Sequence, residues 1–143
     1  MAVRTGNAEW RGDLKDGGGT VTVASGLFDA PYSFSTRFEE EPGTNPEELI
    51  GAAHASCFSM ALSNILAQDG HTADSVRTSA KVHLRNIEGA PTIARIDLET
   101  EGRVPGIDQT QFEGYAEQAK AGCPVSRALA AVGEITLEAR LAG

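Results

Sequence analysis

Positive charge is the first thing this sequence has little of. Its 143 residues include 12 lysines and arginines against 20 aspartates and glutamates, which gives a formal net charge of −8. Surfaces that bind nucleic acids are usually basic, because they neutralise phosphate groups. The composition therefore argues against a nucleic-acid-binding protein.

Long apolar runs and an apolar leader are also missing. A helix that spans a membrane needs about 18 or more predominantly apolar residues, and no such run here is free of polar interruption. The N-terminal segment "MAVRTGNAEWRGD" lacks the apolar core of a signal peptide. We therefore expect a soluble cytoplasmic protein with no membrane partner, folded as one domain over residues 1–143.

Cysteine is scarce, since the chain has only Cys57 and Cys123. Structural disulfides are rare in the cytoplasm, so these two thiols are expected to be free, metal-bound or redox-active. No CxxC pair is present. The glycines of "DGGG" are not followed by the Lys-Ser/Thr pair of a phosphate-binding loop, and they predict a hairpin tip instead.

What the sequence does have begins with strand patterns. "NAEWRG" and "GTVTVAS" surround the glycine-rich stretch and predict two strands. "YSFSTRFE", residues 32–39, also alternates, with its aromatic side chains on one face. This pattern predicts a third strand with Arg37 near its end.

A long helix is predicted next, between Gly43 and Gly70. Asn45 is a suitable N-cap, Pro46 suits the first helical position, and two glutamates follow at the positive end of the helix dipole. Apolar residues cover most of the helix circumference. A helix of this kind is normally surrounded by protein.

The remainder predicts a hairpin, two helices and a last strand. "SVRTSAKVHLRNIEG" and "PTIARIDLETEGRVPG" alternate and are joined by a short link. A helix capped by Asp108 follows and ends at Gly122, and Cys123 then caps a short helix that begins with Pro124. "EITLEARLA" closes the chain as a strand. The order of elements predicts an α+β fold.

The two cysteines allow several interpretations from chemistry alone. Cys57 could be a small buried core residue, because cysteine is among the most buried residue types. Cys123 at a helix N-terminus favours a thiolate and hence a redox pair. His54 lies three residues before Cys57 on the same helix face, so a metal site with Cys123 or a cysteine hydrolase with His54 as its base are further alternatives.

Two stretches give the sequence a resemblance to a known family. "TRFEEEPGTNPEELIGAAHASCFSMALS" and the later "AGCPVSRAL" resemble the OsmC/Ohr proteins, the osmotically inducible and organic hydroperoxide resistance proteins, and the first stretch is similar to the OsmC branch. The resemblance covers essentially the whole chain. It implies an OsmC-like fold, in which sheets wrap around a long central helix within an intertwined homodimer.

The resemblance also implies roles for individual residues. Cys57 matches the thiol that attacks a hydroperoxide, and Cys123 matches the resolving thiol that forms a disulfide with it. Arg37 matches the catalytic arginine and Glu47 the glutamate that orients it, with Glu48 as the adjacent alternative. The resemblance implies an external dithiol of the lipoyl type as the reductant, and it implies no metal or other cofactor.

Attack by a buried thiol on an organic hydroperoxide requires a nearby positive charge and an apolar wall. Burial raises the pKa of a thiol, so a cation such as Arg37 must favour the thiolate. An apolar wall would suit organic hydroperoxides better than hydrogen peroxide. The candidates for this wall could equally be plain core residues, and they are Leu49, Ile50, Phe58 and Phe38.

Helix geometry predicts that the site is shared between chains. Ten residues separate Glu47 from Cys57, which is roughly 15 Å along a helix axis. A glutamate cannot reach the thiol over that distance, so either a long arginine bridges the two groups or the glutamate comes from another chain. We expect the second arrangement, an obligate homodimer in which Glu47 acts across the interface. The alternative function is a thiol-based sensor or binding protein, in which the same cysteine pair switches a surface without turnover.

Overall fold

A computed structural model describes residues 2–143, so Met1 lies outside the described residues. Within this range the chain forms six strands and four helices. In chain order they are β1 (Gly6–Arg11), β2 (Gly18–Val23), β3 (Asp29–Tyr32), α1 (Phe34–Phe38), α2 (Pro46–Gln68), β4 (Ser75–Ile87), β5 (Ala90–Arg103), α3 (Gln109–Gly122), α4 (Pro124–Ala128) and β6 (Glu134–Leu141). The α+β prediction is confirmed. The chain divides into an N-terminal unit, Met1–Leu49, and a C-terminal unit, Ile50–Gly143, with the boundary inside α2.

The N-terminal unit contains an antiparallel sheet in the order β1-β2-β3. Gly19 pairs with Trp10 on one side and with Tyr32 on the other. A Cβ atom at Gly19 would lie 2.6 Å from the Tyr32 ring and 2.9 Å from the Trp10 ring. Glycine at this position therefore lets the two rings meet, with centroids 5.2 Å apart in an edge-to-face arrangement.

The predicted strand over residues 32–39 is wrong in its larger part. β3 ends at Tyr32, and the following residues form the helix α1. Ser33 caps this helix, because its hydroxyl accepts from the Thr36 amide at 3.2 Å while the Thr36 hydroxyl accepts from the Ser33 amide at 2.8 Å. This reciprocal capping outweighs the strand alternation, and it places Arg37 on a short helix.

The C-terminal unit contains the sheet β4-β5-β6 and the core. β4 and β5 form the predicted antiparallel hairpin, and β6 pairs with β5 in parallel after the crossover through α3 and α4. Apolar side chains from α2, β5 and α3 are buried together. This core consists of Phe58, Leu62, Leu66, Leu98, Val104, Phe112, Ala116, Ala119 and Cys123.

Helix α2 begins as predicted, because the Asn45 side chain accepts from the Glu48 amide at 2.8 Å and Pro46 is its first residue. Other parts of the same chain do not fully cover α2, since only 28% of its most apolar 18-residue stretch is buried. Its exposed positions follow one helix face, and they include Ala52, Ala53, Ser56, Met60, Asn64 and Ala67. By length and composition α2 could also cross a membrane, a property that core helices of soluble proteins share, so the absence of a membrane partner stays a prediction.

Candidate active site

The C-terminal unit brings the two cysteines together. Cys57 lies in the middle of α2 and is partly buried, whereas Cys123 is fully buried where α3 meets α4. The chain turns here because the Cys123 amide donates to Ala119 O at 2.9 Å and Pro124 then begins a new helix. Both thiols are free, and the thiol of Cys57 hydrogen-bonds to the sulfur of Cys123.

The two thiols differ in their electrostatic surroundings. Burial raises the pKa of Cys57, and its hydrogen bond to Cys123 raises it further, against a backbone hydrogen bond from Val125. Burial alone would also raise the pKa of Cys123, but hydrogen bonds from Cys57, from the amide and hydroxyl of Ser126 and from the Val125 amide lower it. Within this unit Cys123 is therefore the more acidic thiol, and an attacking thiolate at Cys57 needs a cation from elsewhere.

A buried histidine lies next to the thiol pair. His54 is fully buried one turn before Cys57, and its Nε2 lies 2.7 Å from the hydroxyl of Ser126. Burial lowers the pKa of His54, so the ring is neutral. Across residues 2–143, no three histidine, cysteine, aspartate or glutamate side chains are grouped so as to hold a metal ion.

The N-terminal unit holds the predicted charged pair. Arg37 Nε donates to both carboxylate oxygens of Glu47, at 3.2 and 3.3 Å, and Nη2 donates to Oε1 at 2.9 Å. The Arg37 side chain is 35% exposed and that of Glu47 is 11% exposed. Glu48 is exposed and makes no such pair. Glu47 thus fixes the guanidinium plane and leaves part of it open.

An apolar pocket of about 290 Å³ adjoins Arg37 in the same unit. The guanidinium of Arg37 lies 5.3 Å from the centroid of the Phe38 ring, which is a cation–π distance. Sequence reasoning placed Phe38 here but missed most of the pocket. Its lining is Trp10, Leu14, Tyr32, Ser33, Phe34, Arg37 and Phe38. The aromatic alternation after residue 31 was a partial signal for this cluster.

The other predicted wall residues lie outside this pocket. Phe58 is fully buried in the core of the C-terminal unit, so its side chain packs against other core residues and does not line an open substrate wall. Leu49 and Ile50 are partly buried, and neither lines the apolar pocket beside Arg37, called the aromatic pocket below. Their contact with a substrate stays a prediction.

Comparison with known proteins assigns the family. The family model described as "OsmC: OsmC-like protein" matches residues 38–138. The chain is 53% identical to the Peroxiredoxin OsmC of Escherichia coli (strain K12) over 139 residues, which is 96% of each chain. The chain belongs to the OsmC family.

The wider family includes more distant relatives. The chain is 32% identical over 96 residues, 66% of each chain, to an organic hydroperoxide resistance protein of Xanthomonas axonopodis pv. citri (strain 306). The crystal structure of the organic hydroperoxide resistance protein OhrB of Bacillus subtilis has a TM-score of 0.72 at 23% identity, with 96% of this chain and 98% of that chain covered. An organic hydroperoxide resistance protein OsmC from Legionella pneumophila gives 0.71 at 21% identity over all of both chains. These structures have the same fold.

Proposed function

We propose that this protein is a cysteine-based peroxidase that reduces organic hydroperoxides, and hydrogen peroxide less well, in defence against oxidative and osmotic stress. The observation that carries the proposal is the hydrogen-bonded pair of free thiols, with Cys57 partly accessible on α2 and Cys123 buried behind it. Such a pair suits an attacking thiol and a resolving thiol.

The proposed cycle has three steps. The Cys57 thiolate attacks one oxygen of the hydroperoxide, the O–O bond breaks, and the other oxygen leaves as the alcohol after it takes up a proton. Cys57 is then a sulfenic acid, and the sulfur of Cys123 displaces its oxygen as water to form a disulfide. An external dithiol of the lipoyl type reduces this disulfide and becomes oxidised itself.

The attacking thiolate requires the charged pair of the N-terminal unit. We propose that the Arg37 guanidinium, oriented by Glu47, stabilises both the thiolate and the negative charge that develops on the peroxide oxygen. The aromatic pocket beside Arg37 would then receive the organic part of the hydroperoxide. Aromatic and aliphatic walls favour an alkyl group over a water molecule or hydrogen peroxide.

We further propose an obligate homodimer, in which Glu47 of one chain acts at the partner's Cys57. The exposed apolar face of α2 supports a second chain as its cover, because an apolar helix normally has protein on every side. The free thiols and the dithiol reductant fit the cytoplasm, where cysteines remain reduced. The proposal includes no nucleic acid, membrane or cofactor.

Turnover is the direct test of the proposed activity. Purified protein with excess dithiol should consume many equivalents of an organic hydroperoxide per chain and produce the matching alcohol. Consumption that stops at one equivalent would contradict a peroxidase and would favour the thiol sensor. A dithiol-only reaction measures the uncatalysed background.

A further inference from the structure

One buried polar group has no place in the proposed cycle. His54 is fully buried, and its Nδ1 has no hydrogen-bond partner, the only such side-chain nitrogen or oxygen that was found buried within residues 2–143. Its other ring nitrogen, Nε2, lies 2.7 Å from Ser126 Oγ, and Ser126 is itself 6% exposed. An unpaired buried polar atom destabilises a fold, so the presence of a histidine at this position needs an explanation.

Ser126 connects this histidine to the thiol pair. Hydrogen bonds from its hydroxyl and its amide lower the pKa of Cys123, as does a hydrogen bond from the Cys57 thiol. The atoms thus form one continuous chain: His54 Nε2, Ser126 Oγ, Cys123 Sγ and Cys57 Sγ. The first of these contacts is 2.7 Å long, and the other two are the hydrogen bonds that lower the pKa of Cys123.

The hydroxyl of Ser126 has one proton, so it can donate to only one of its two neighbours, His54 or Cys123. If the hydroxyl donates to His54, it cannot also donate to the sulfur of Cys123, and the His54 Nδ1–H becomes a buried donor without an acceptor. If His54 Nε2–H donates to Ser126 Oγ, the hydroxyl proton is free for the sulfur and Nδ1 is left as a bare acceptor. Orphaned buried N–H donors are the rarer case, so the second tautomer is favoured.

We infer that His54 is a positioning residue for disulfide closure, whose Nε2–H holds Ser126 Oγ so that the hydroxyl donates to the sulfur of Cys123. The inference rests on the proposed function, in which Cys123 is the resolving thiol. His54 itself touches no reacting atom in this arrangement. Its neutral ring suits the role, because the orientation of Ser126 needs a donor and no charge.

The step that this arrangement assists is the second of the cycle. The Cys123 thiol first loses its proton to solvent, and the hydroxyl of Ser126 stabilises the resulting thiolate. The S–S bond then forms as the S–O bond of Cys57 sulfenic acid breaks, and the departing hydroxide takes a proton to become water. The Cys123 sulfur is oxidised and the Cys57 sulfur is reduced. When the dithiol later reduces the disulfide, the same hydroxyl stabilises Cys123 as the leaving thiolate.

A thiol titration without peroxide tests the arrangement independently of the proposed activity. The ultraviolet absorbance of thiolates, followed against pH in the reduced protein, gives the two macroscopic pKa values of the coupled pair. We expect Ser126→Ala to raise the lower value by about one unit and His54→Leu to raise it by a smaller amount. His54→Gln keeps an amide donor and should restore most of the wild-type value.

Matched controls lie on neighbouring elements. Ser59→Ala removes a partly buried hydroxyl of the same helix, which donates to Thr78, and His83→Gln removes a histidine paired with Asp97 on the sheet. Both should leave the titration unchanged. Unchanged values in Ser126→Ala and His54→Leu would overturn the inference, and Ser126→Ala decides alone if His54→Leu does not fold.

The closure rate supplies the second readout. After one equivalent of hydroperoxide, rapid quenching and mass spectrometry separate Cys57 sulfenic acid from the disulfide. We expect Ser126→Ala and His54→Leu to slow closure about tenfold with an unchanged rate of sulfenic acid formation, and His54→Gln to close nearly as fast as wild type. Equal slowing in His54→Gln and His54→Leu would overturn the positioning role. If wild type forms no sulfenic acid, the peroxidase proposal fails while the titration still judges His54.

Discussion

The two units of the chain bury different kinds of side chain. The C-terminal unit encloses an apolar core that ends at Cys123. Among the described residues 2–49 of the N-terminal unit, no apolar residue is fully buried, and Glu47 is the one buried residue. The thiols thus lie in an environment that disfavours charge, and the guanidinium lies where charge is tolerated. The comparison shows that neither set of groups has the properties of a peroxidase site alone, because Cys57 has no cation in its own unit that would offset its burial.

Substitutions of the two cysteines should have the largest effect on activity. Cys57→Ser is expected to abolish turnover, because no other thiol is placed to attack the peroxide. Cys123→Ser should consume about one equivalent and stop at the sulfenic acid or a higher oxidation state. Mass spectrometry with a sulfenic acid trap measures both results, and in the wild type it should find an intrachain Cys57–Cys123 disulfide. Trapping on Cys123, whose pKa is lowered by its hydrogen bonds, would reverse the assigned roles.

Loss of the guanidinium should come next in size. We expect Arg37→Ala to lower kcat/KM about 100-fold at neutral pH and to move the rate–pH profile to higher pH, because the Cys57 thiolate loses its stabilising charge. Arg37→Lys should recover only part, since lysine cannot make the bidentate contact with Glu47. Arg11→Ala is the matched control, because Arg11 pairs with Glu9 on the exposed sheet of the same unit. An unmoved profile in Arg37→Ala would remove the proposed role.

Subunit exchange tests whether the two halves meet across a dimer. Cys57→Ser and Glu47→Ala chains are each expected to be nearly inactive as pure proteins. Mixed in equal amounts with verified exchange, they should regain about a quarter of wild-type activity, because half of the dimers are mixed and each has one intact site. No recovery would contradict the trans arrangement, and a monomer in sedimentation would contradict the homodimer.

The aromatic pocket should affect substrate choice more than chemistry. Trp10→Ala removes an aromatic wall of the pocket beside Arg37 and with it the apolar contact to the substrate. KM for a bulky organic hydroperoxide should therefore rise about tenfold, with little change for hydrogen peroxide. Leu27→Ala is a control in the same unit, since Leu27 is 83% exposed and outside the pocket. Equal losses for both peroxides would instead indicate that Trp10 stabilises the fold around Arg37.

Substitutions at two helix caps should have the smallest effects, and they form a closely matched pair of variants. Ser33 and Asp108 form capping boxes on α1 and α3, one in each unit. Asp108→Ala should lower the free energy of unfolding by about 1 kcal/mol, because α3 packs into the core. Ser33→Ala should leave global unfolding nearly unchanged and reduce activity severalfold, because α1 positions Arg37. Chemical denaturation and initial rates measure the two effects, and equal destabilisation would contradict the difference between the units.

Most elements could be predicted from local patterns, and the failures have physical causes. Asn45, Pro46 and Asp108 acted as local signals, so α2 and α3 begin where expected. At Ser33 a local alternation competed with a capping box that uses threonine in place of the usual glutamate, and the cap prevailed. Sequence spacing also gave no information on Phe58, because apolar residues read alike as core or as substrate wall.

The site was predicted unevenly for a similar reason. The family motifs pointed to four residues, and the structure brings them together as two pairs, Cys57 with Cys123 and Arg37 with Glu47. The link between His54 and Ser126 was missed, because it joins residues far apart in sequence. Trp10 was missed because its contact with Tyr32 depends on a glycine in the strand between them.

The parallel pairing of β5 with β6 has a consequence for the order of events during synthesis. β6 comprises the last strand residues of the chain, and the segment between β5 and β6 includes Cys123. This segment is anchored at both ends only once β6 has left the ribosome, since parallel strands cannot pair before their crossover is complete. Cys123 is therefore held opposite Cys57 only after β6 has been synthesised, and the growing chain carries Cys57 without this neighbour until then.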